Sequence, residues 1–281
     1  MREVVRGTAG ADELYSGPAD EEIRGRQGDD VIFGWGQDYI LLPNGEVPTD
    51  DGSDLIRGGA GSDTYVVPSW EWQFTDEAPV LPAYIAAIVD LRAGTVDYSE
   101  PGFSRDFLRS VENVRTGNGD DVVIGNELAN RIEVGNGFNT VRAGGGDDHI
   151  IGGGVYAEIY GYKGVIERLS GGAGNDVIDS GGAWWEWNAN HYSANGPGKD
   201  KLNGGAGDDH LIGGVGTVVM KGGAGADTFE ARADTLLIWD EQTDGEAVGA
   251  RVEIMDFERG VDEIHFRMGP TAYADETWVP I

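Results

Sequence analysis

Cysteine is absent from all 281 residues, so the chain can build no disulfide framework, no thiolate metal centre and no cysteine nucleophile. Basic residues are scarce, with 20 lysines and arginines against 50 aspartates and glutamates, a formal charge of -30 at pH 7. That balance disfavours nucleic acid, whose phosphates are bound by Lys and Arg, and it points to cations as the counter-charge. No apolar run approaches the roughly 18 residues of a membrane helix. The opening MREVVRGTAGADELYSG has no apolar h-region, so export by a cleaved signal is not expected. Also missing are HExxH, GxSxG, an EF-hand loop and a glycine loop ending in Lys-Ser/Thr, and the four histidines, His149, His191, His210 and His265, are scattered. What the chain has in excess is glycine, 47 residues, alongside 40% hydrophobic content, enough to build a core.

The glycines recur with a period of nine. Written as GGxGxDxUx, with U a large apolar residue, complete copies stand at GGAGSDTYV (58 to 66), GGAGNDVID (171 to 179), GGAGDDHLI (204 to 212) and GGAGADTFE (222 to 230). Near copies include GTAGADELY from Gly7, GRQGDDVI from Gly25, TGNGDDVVI from Thr116, GNELANRIE from Gly125, VGNGFNTVR from Val134, AGGGDDHII from Ala143 and NGPGKDKLN from Asn195. The array falls into two blocks, 7 to 66 and 116 to 230.

Each position has a mechanical reason. Glycine permits positive φ and close backbone approach in the turn. The xUx triplet is too short for a helical turn and alternates as a strand does, U inward and its neighbours outward. A nonapeptide is therefore half a coil, and two make one turn of a flattened spiral whose strands stack in parallel about 4.8 Å apart. The expected fold is all-β, a right-handed parallel β-roll, that is, a β-helix solenoid. Its core is thin, and acids along both edges repel one another. Calcium resolves this, as a hard cation that takes about 6 to 8 oxygens from carboxylates and from carbonyls such as those exposed by open glycine turns.

The repeats resemble those of the RTX, or hemolysin-type calcium-binding, proteins. The resemblance implies several bound Ca2+ ions, folding in extracellular calcium, and type I secretion with an uncleaved C-terminal signal to which the tail ADETWVPI would belong. The stretch ARVEIMDFERGVDEIHF is similar to the closure that follows β-rolls in serralysin-type proteases. A solenoid needs such a cap because its last coil exposes apolar core and an unpaired edge.

Sixth-position acids should meet across coils, two nonapeptides apart plus any insertion. In the first block this places Asp12, Asp30 and Asp54 on one edge and Glu21, Asp38 and Asp63 on the other. In the second, Asp209 and Asp227 have that spacing, and Asp176 joins them if the extra stretch after Gly182 loops out; Asp200 belongs to the same block. Between them Asn130 and Asn139 stand in for Asp, pairing Asp121 with Asn139 and Asn130 with Asp148 at the same spacing. The coil from 152 to 169 reads as having lost its acids, held instead by Ile159, Ile166 and Leu169. The fifth-position acids Asp29, Asp120, Asp147 and Asp208 are expected to face solvent.

The expected organisation is a first block (1–66), a connector that caps or bridges the blocks (67–115), a second block (116–230) and a C-terminal cap with the secretion signal (231–281). Asp256 and Asp262 in the cap fit either one further ion or a plain polar turn. An insertion from 183 to 199 carries Trp184, Trp185, Trp187 and Tyr192, which suit either a lid packed on the spiral or an exposed platform for sugar or a partner. Repeats already running from Gly7 leave no expected place for an upstream catalytic domain, and no Asp-Pro-His-Glu stretch of an alginate-epimerase type is present. The reading is a secreted, non-enzymatic binding or adhesion module for polysaccharide or another cell-surface component. The alternatives are a polysaccharide-modifying enzyme, with Glu186 and His191 as acid and base, or the repeat region of a larger secreted enzyme or toxin.

Overall fold

A computed structural model describes residues 2–17, 19–34, 52–67, 86–99, 104–117, 119–135, 137–153, 167–181, 199–214, 217–233 and 251–268. All regular elements among them are strands, and the chain divides into two compact units, residues 1–135 and 136–281.

The first unit holds β1 (Glu3–Arg6), β2 (Glu13–Tyr15), β3 (Glu21–Gln27), β4 (Val31–Phe33), β5 (Leu55–Ala60), β6 (Thr64–Val66), β7 (Ala87–Asp90), β8 (Thr95–Tyr98), β9 (Asp106–Arg109), β10 (Asn113–Arg115), β11 (Val122–Ile124) and β12 (Arg131–Glu133). One of its sheets runs β1-β3-β5-β9-β8-β7-β11 and the other β2-β4-β6-β10-β12. The second unit holds β13 (Thr140–Gly145), β14 (His149–Ile151), β15 (Arg168–Ala173), β16 (Val177–Asp179), β17 (Lys199–Ala206), β18 (His210–Gly213), β19 (Thr217–Ala224), β20 (Thr228–Ala233), β21 (Arg251–Ile254) and β22 (Glu263–Met268), in sheets β13-β15-β17-β19-β21 and β14-β16-β18-β20-β22. Within the repeats, successive strands alternate between sheets and pair in parallel with the strand two places on, as a coiled parallel β-roll requires.

The nonapeptide dictates this locally. In β14, Ile150 is fully buried while His149 and Ile151 are partly exposed, and the same middle residue fills the core in the other repeats. Ile23, Ile32, Ile56 and Tyr65 stack in the first unit, and Leu169, Ile178, Leu202, Leu211, Met220 and Phe229 in the second. Burying such a side chain contributes about 1.5–3 kcal/mol, and each three-residue strand supplies only one. Strands of the sheet containing β17 run on into the turn because Gly205 pairs with Gly172 and Gly223. Gly205 has φ +126° and a Cβ there would strike the carbonyl of Gly172, so glycine lets the coils close to strand spacing at this point without strain. Arg26 occupies the equivalent place in GRQGDD and is held at φ +89°.

The coil length is 18 residues between Asp12 and Asp30 and between Asp209 and Asp227. It grows to 33 between Asp30 and Asp63, 28 between Asp148 and Asp176, and 33 between Asp176 and Asp209. From 86 onward the connector does more than bridge. β7, β8 and β9 form an antiparallel meander within the first unit's larger sheet, and β10 continues the other sheet. The tight turn at Leu91–Gly94, closed by Gly94 N–H donating to Asp90 O (2.7 Å), is too short for a parallel crossover, which explains the reversal. In the C-terminal segment β21 and β22 add one more parallel coil onto β19 and β20.

Candidate functional site

The sixth-position acids form ladders between coils. Asp12 N–H donates to Asp30 Oδ1 (2.9 Å), Asp30 N–H to Asp63 Oδ1 (2.9 Å), and Asp63 N–H to Glu112 Oε2 (3.0 Å). On the opposite edge Glu21 N–H donates to Asp54 Oδ1 (2.8 Å) and Asp54 N–H to Asp106 Oδ1 (2.9 Å). The second unit repeats the pattern through Asp148, Asp176, Asp209, Asp227 and Asp262, at 2.8–3.0 Å per step. One carboxylate oxygen of each accepting acid thus locks two coils together.

The second oxygen of Asp30, Asp63, Asp176, Asp209 and Asp227 turns into its own glycine turn. Oδ2 of Asp30, Asp54, Asp63, Asp176 and Asp209 and Oε2 of Glu167 are buried and accept no hydrogen bond. The space in front of Gly204 is bounded by Asp209 Oδ2 and by Gly222 O of the next coil, so that a Cβ there would collide with both. Gly25 faces Asp30 Oδ2 and Gly58 O in the same way, and Gly58 faces Asp63 Oδ2 and Ser110 O. A carboxylate oxygen and a backbone carbonyl converging with no donor between them is an unfavourable arrangement. Burial accordingly pushes Asp63 and Asp176 up to about 6, Asp209 to about 7 and Asp54 to about 8. Asp30 and Asp227 rise for the same reason. The donor set is all oxygen and suits a hard cation. Among the described residues no three acidic or histidine side chains converge on one point, so such an ion would draw on carbonyls as well as carboxylates.

The edge assignment from spacing alone is corrected in one respect. Asp63, not Asp54, follows Asp12 and Asp30, and Asp54 follows Glu21, because the long coil after Phe33 stretches both steps to 33 residues. Asp38 lies outside the described residues, as do Trp184, Trp185, Trp187, Tyr192, Glu186, His191, Ile159 and Ile166. The coil at 152–169 keeps an acid after all. Glu167 is buried, accepts from Gly153 N–H (2.9 Å) and Asn139 Nδ2 (3.2 Å), and donates its own N–H to Asp200 Oδ1 (3.0 Å). Burial pushes Glu167 up to about 8 and Asp200 to about 6. Beyond Asp200 this edge becomes apolar, with Val218 and then Val252 in register. Asp121 Oδ1 accepts from Ala87 N–H (2.8 Å), and burial raises Asp121 to about 6. Asn130 shows what replaces a cation: its Nδ2 donates to Glu112 O (2.8 Å) and to Asn126 Oδ1 (3.2 Å).

Asp106, Glu112 and Glu167 lie outside the glycine-framed repeats, and sequence reasoning missed them. Each nevertheless stands two residues before a buried apolar side chain, Leu108, Val114 and Leu169. That acid-x-apolar triplet is the shared signal. The fifth-position acids are exposed, and three of them also hold coils together: Ser62 N–H donates to Asp29 Oδ1, Asn175 N–H to Asp147 Oδ1 and Ala226 N–H to Asp208 Oδ1, each at 2.8–2.9 Å. In this second ladder the later coil donates to the earlier one, opposite to the sixth-position ladder.

At Asp106 two hydroxyls already occupy the inner oxygen. Tyr65 and Tyr98 donate to Oδ2 at 2.6 and 2.8 Å, and burial lifts Asp106 to about 6 even so. Tyr65→Phe should lower stability by about 1–3 kcal/mol, since it removes a donor from a buried carboxylate. Thermal melting in saturating calcium measures it, and an unchanged midpoint would show that the Tyr65 bond contributes nothing.

The model of the RTX calcium-binding nonapeptide repeat matches residues 2–32, 15–41, 49–66, 124–155, 166–183 and 195–229, just over half of the chain. The chain belongs to the RTX calcium-binding repeat family. No curated protein matches it. RTX membership supplies the identity of the cation that the oxygen-lined turns fit, which is calcium. In this RTX chain Asp12, Asp30 and Asp63, Glu21 and Asp54, and Asp148, Asp176, Asp209 and Asp227 are the laddered carboxylates that would hold it. A calcium ion held by these residues would supply the positive charge that neutralises the buried acids.

Proposed function

We propose that this RTX protein is a secreted, non-enzymatic binding module that folds on several calcium ions outside the cell. The observation that supports it best is the run of buried carboxylate oxygens that accept no hydrogen bond and face the glycine turns, on Asp30, Asp63, Asp176 and Asp209. Calcium is scarce inside cells and abundant outside, so a fold conditional on it stays open for export and closes afterwards. The route is type I secretion, which the RTX resemblance implies together with an uncleaved C-terminal signal to which ADETWVPI would belong. The role after folding is attachment to a polysaccharide or another cell-surface component.

Polysaccharide binding and depolymerisation measured side by side on the calcium-loaded protein test this reading. Binding without new chain ends is the expected outcome. Release of reducing or unsaturated ends would overturn the non-enzymatic role and direct attention to Glu186 and His191.

A further inference from the structure

Four arginines lie in one row across four neighbouring strands of the first unit. Arg6 pairs in register with Arg24, Arg24 with Arg57, and Arg57 with Arg109. Parallel pairing sets successive Cα atoms about 4.8 Å apart, and all four follow an inward-facing position, so their side chains leave the outer face of the sheet. Like charges directly opposite one another oppose sheet formation. Only Glu22 offsets them within the two outward rows of these strands. It accepts from Arg24 Nε and Nη2 (3.0 and 2.8 Å) and from Arg57 Nε (2.9 Å). Arg6 and Arg109 are exposed and form no ion pair among the described residues. A chain with only 20 basic residues has thus aligned four of them at strand spacing.

The neighbouring outward row is Val4, Glu22, Leu55 and Phe107, with Phe107 41% exposed. Where the row ends, Leu55, Leu91, Arg92, Gly94, Phe107 and Arg109 line an open depression of about 360 Å³. A regularly spaced cationic row beside Leu55 and the aromatic ring of Phe107 suits a polymer with regularly spaced anions and apolar ring faces. We infer that the row Arg6, Arg24, Arg57 and Arg109, with Phe107 beside it, binds an anionic polysaccharide carrying one carboxylate per sugar ring. Such a chain lies across the strands, its carboxylates bonded by successive guanidinium groups and a ring face resting on Phe107. Its charge recurs at about the length of one sugar, which matches a row with one cation per strand. The phosphates of a nucleic acid would meet the same four cations on a protein of net charge -30, a poor surface for so dense a polyanion. This inference rests on the binding-module reading and names its ligand class and surface.

The test uses the full chain in calcium and short oligogalacturonates, too short to gel with the ion, followed by calorimetry at several salt concentrations. The parent protein should bind, and increasingly weakly as salt rises. The double variant Arg6→Gln, Arg109→Gln should bind at least tenfold more weakly with a shallower salt dependence, while its calcium-dependent melting stays unchanged because neither side chain is in an ion pair. Phe107→Ala should weaken binding at every salt concentration without changing the salt slope. Equal affinity of parent and double variant, or tighter binding of a single-stranded oligodeoxynucleotide than of oligogalacturonate, would overturn the inference. Binding of a neutral glycan with the arginines irrelevant would overturn it too, yet leave the binding-module reading standing. No glycan binding by a calcium-folded protein would sink both.

Discussion

Chelating calcium at pH 8 should unfold most of the chain, and the unfolding should reverse when the calcium-free protein is brought to about pH 4. The sign follows from burial. Burial pushes Asp63 and Asp176 up to about 6, Asp209 to about 7, and Asp54 and Glu167 to about 8, all above the ordinary carboxylate range. A group whose folded pKa is raised binds its proton more tightly in the folded state. Its stabilising contribution is complete below about pH 4, the unfolded value, and is lost as pH climbs through the folded values, here from about 6 to about 8. A pKa raised by one corresponds to about 1.4 kcal/mol once the group must ionise. Several such groups together rival the net stability of an ordinary folded domain, about 5–15 kcal/mol. Calcium reverses the dependence, because it holds the carboxylates ionised and competes with protons, so calcium affinity should fall as pH drops through the same window. Circular dichroism against pH, with and without EGTA, reads both curves. A calcium-free protein whose β-signal and melting stay constant from pH 5 to pH 9 would contradict the account.

The second large effect concerns neighbouring aspartates in GGAGDDHLI. Asp209→Ala should destabilise the calcium-loaded protein by about 2–4 kcal/mol, because it strips the acceptor from Asp176 N–H and a carboxylate from two adjacent turns. Asp208→Ala removes only an exposed bond to Ala226 N–H and should cost about 1 kcal/mol or less. Asp209→Asn separates charge from hydrogen bonding. Its Oδ1 can still accept from Asp176 N–H, and its amide can donate toward Gly222 O as Asn130 donates to Glu112 O. At pH 8 this variant should melt higher than the parent in EGTA and lower than the parent in calcium. Melting curves of the three variants in both conditions are the check, and equal shifts for Asp208→Ala and Asp209→Ala would break the sixth-position assignment.

The parts of this fold with a fixed local period are legible in the sequence. Ile150, Ile178, Leu211 and Phe229 follow the turn glycines at constant offset, so the strand, its inward face and the acid two residues earlier can all be placed. The edges of the first block depend on something the period does not carry. The number of residues between Phe33 and the next strand decides whether Asp54 or Asp63 stacks on Asp30, and only the pairing of Val31 with Thr64 settles it. Glycine-free coils are hidden because strand geometry requires only the apolar residue. Asp106 and Glu167 keep the acid and lose the glycines, so the nonapeptide pattern passes over them. The antiparallel meander of β7 to β9 arises from the short turn at Leu91–Gly94, which composition does not single out. The arginine row is hidden for a related reason: Arg24, Arg57 and Arg109 are far apart in sequence and meet only once the long coils are closed.

The claim that calcium sits between coils on the sixth-position carboxylates is tested most directly by anomalous scattering from crystals grown in calcium. The account predicts anomalous peaks in the turns along Asp148, Asp176, Asp209 and Asp227, about 2.3–2.6 Å from the inner carboxylate oxygens and from facing glycine carbonyls. Peaks at Asp29, Asp147 and Asp208 instead, or a fully folded array with no peak along that edge, would contradict it.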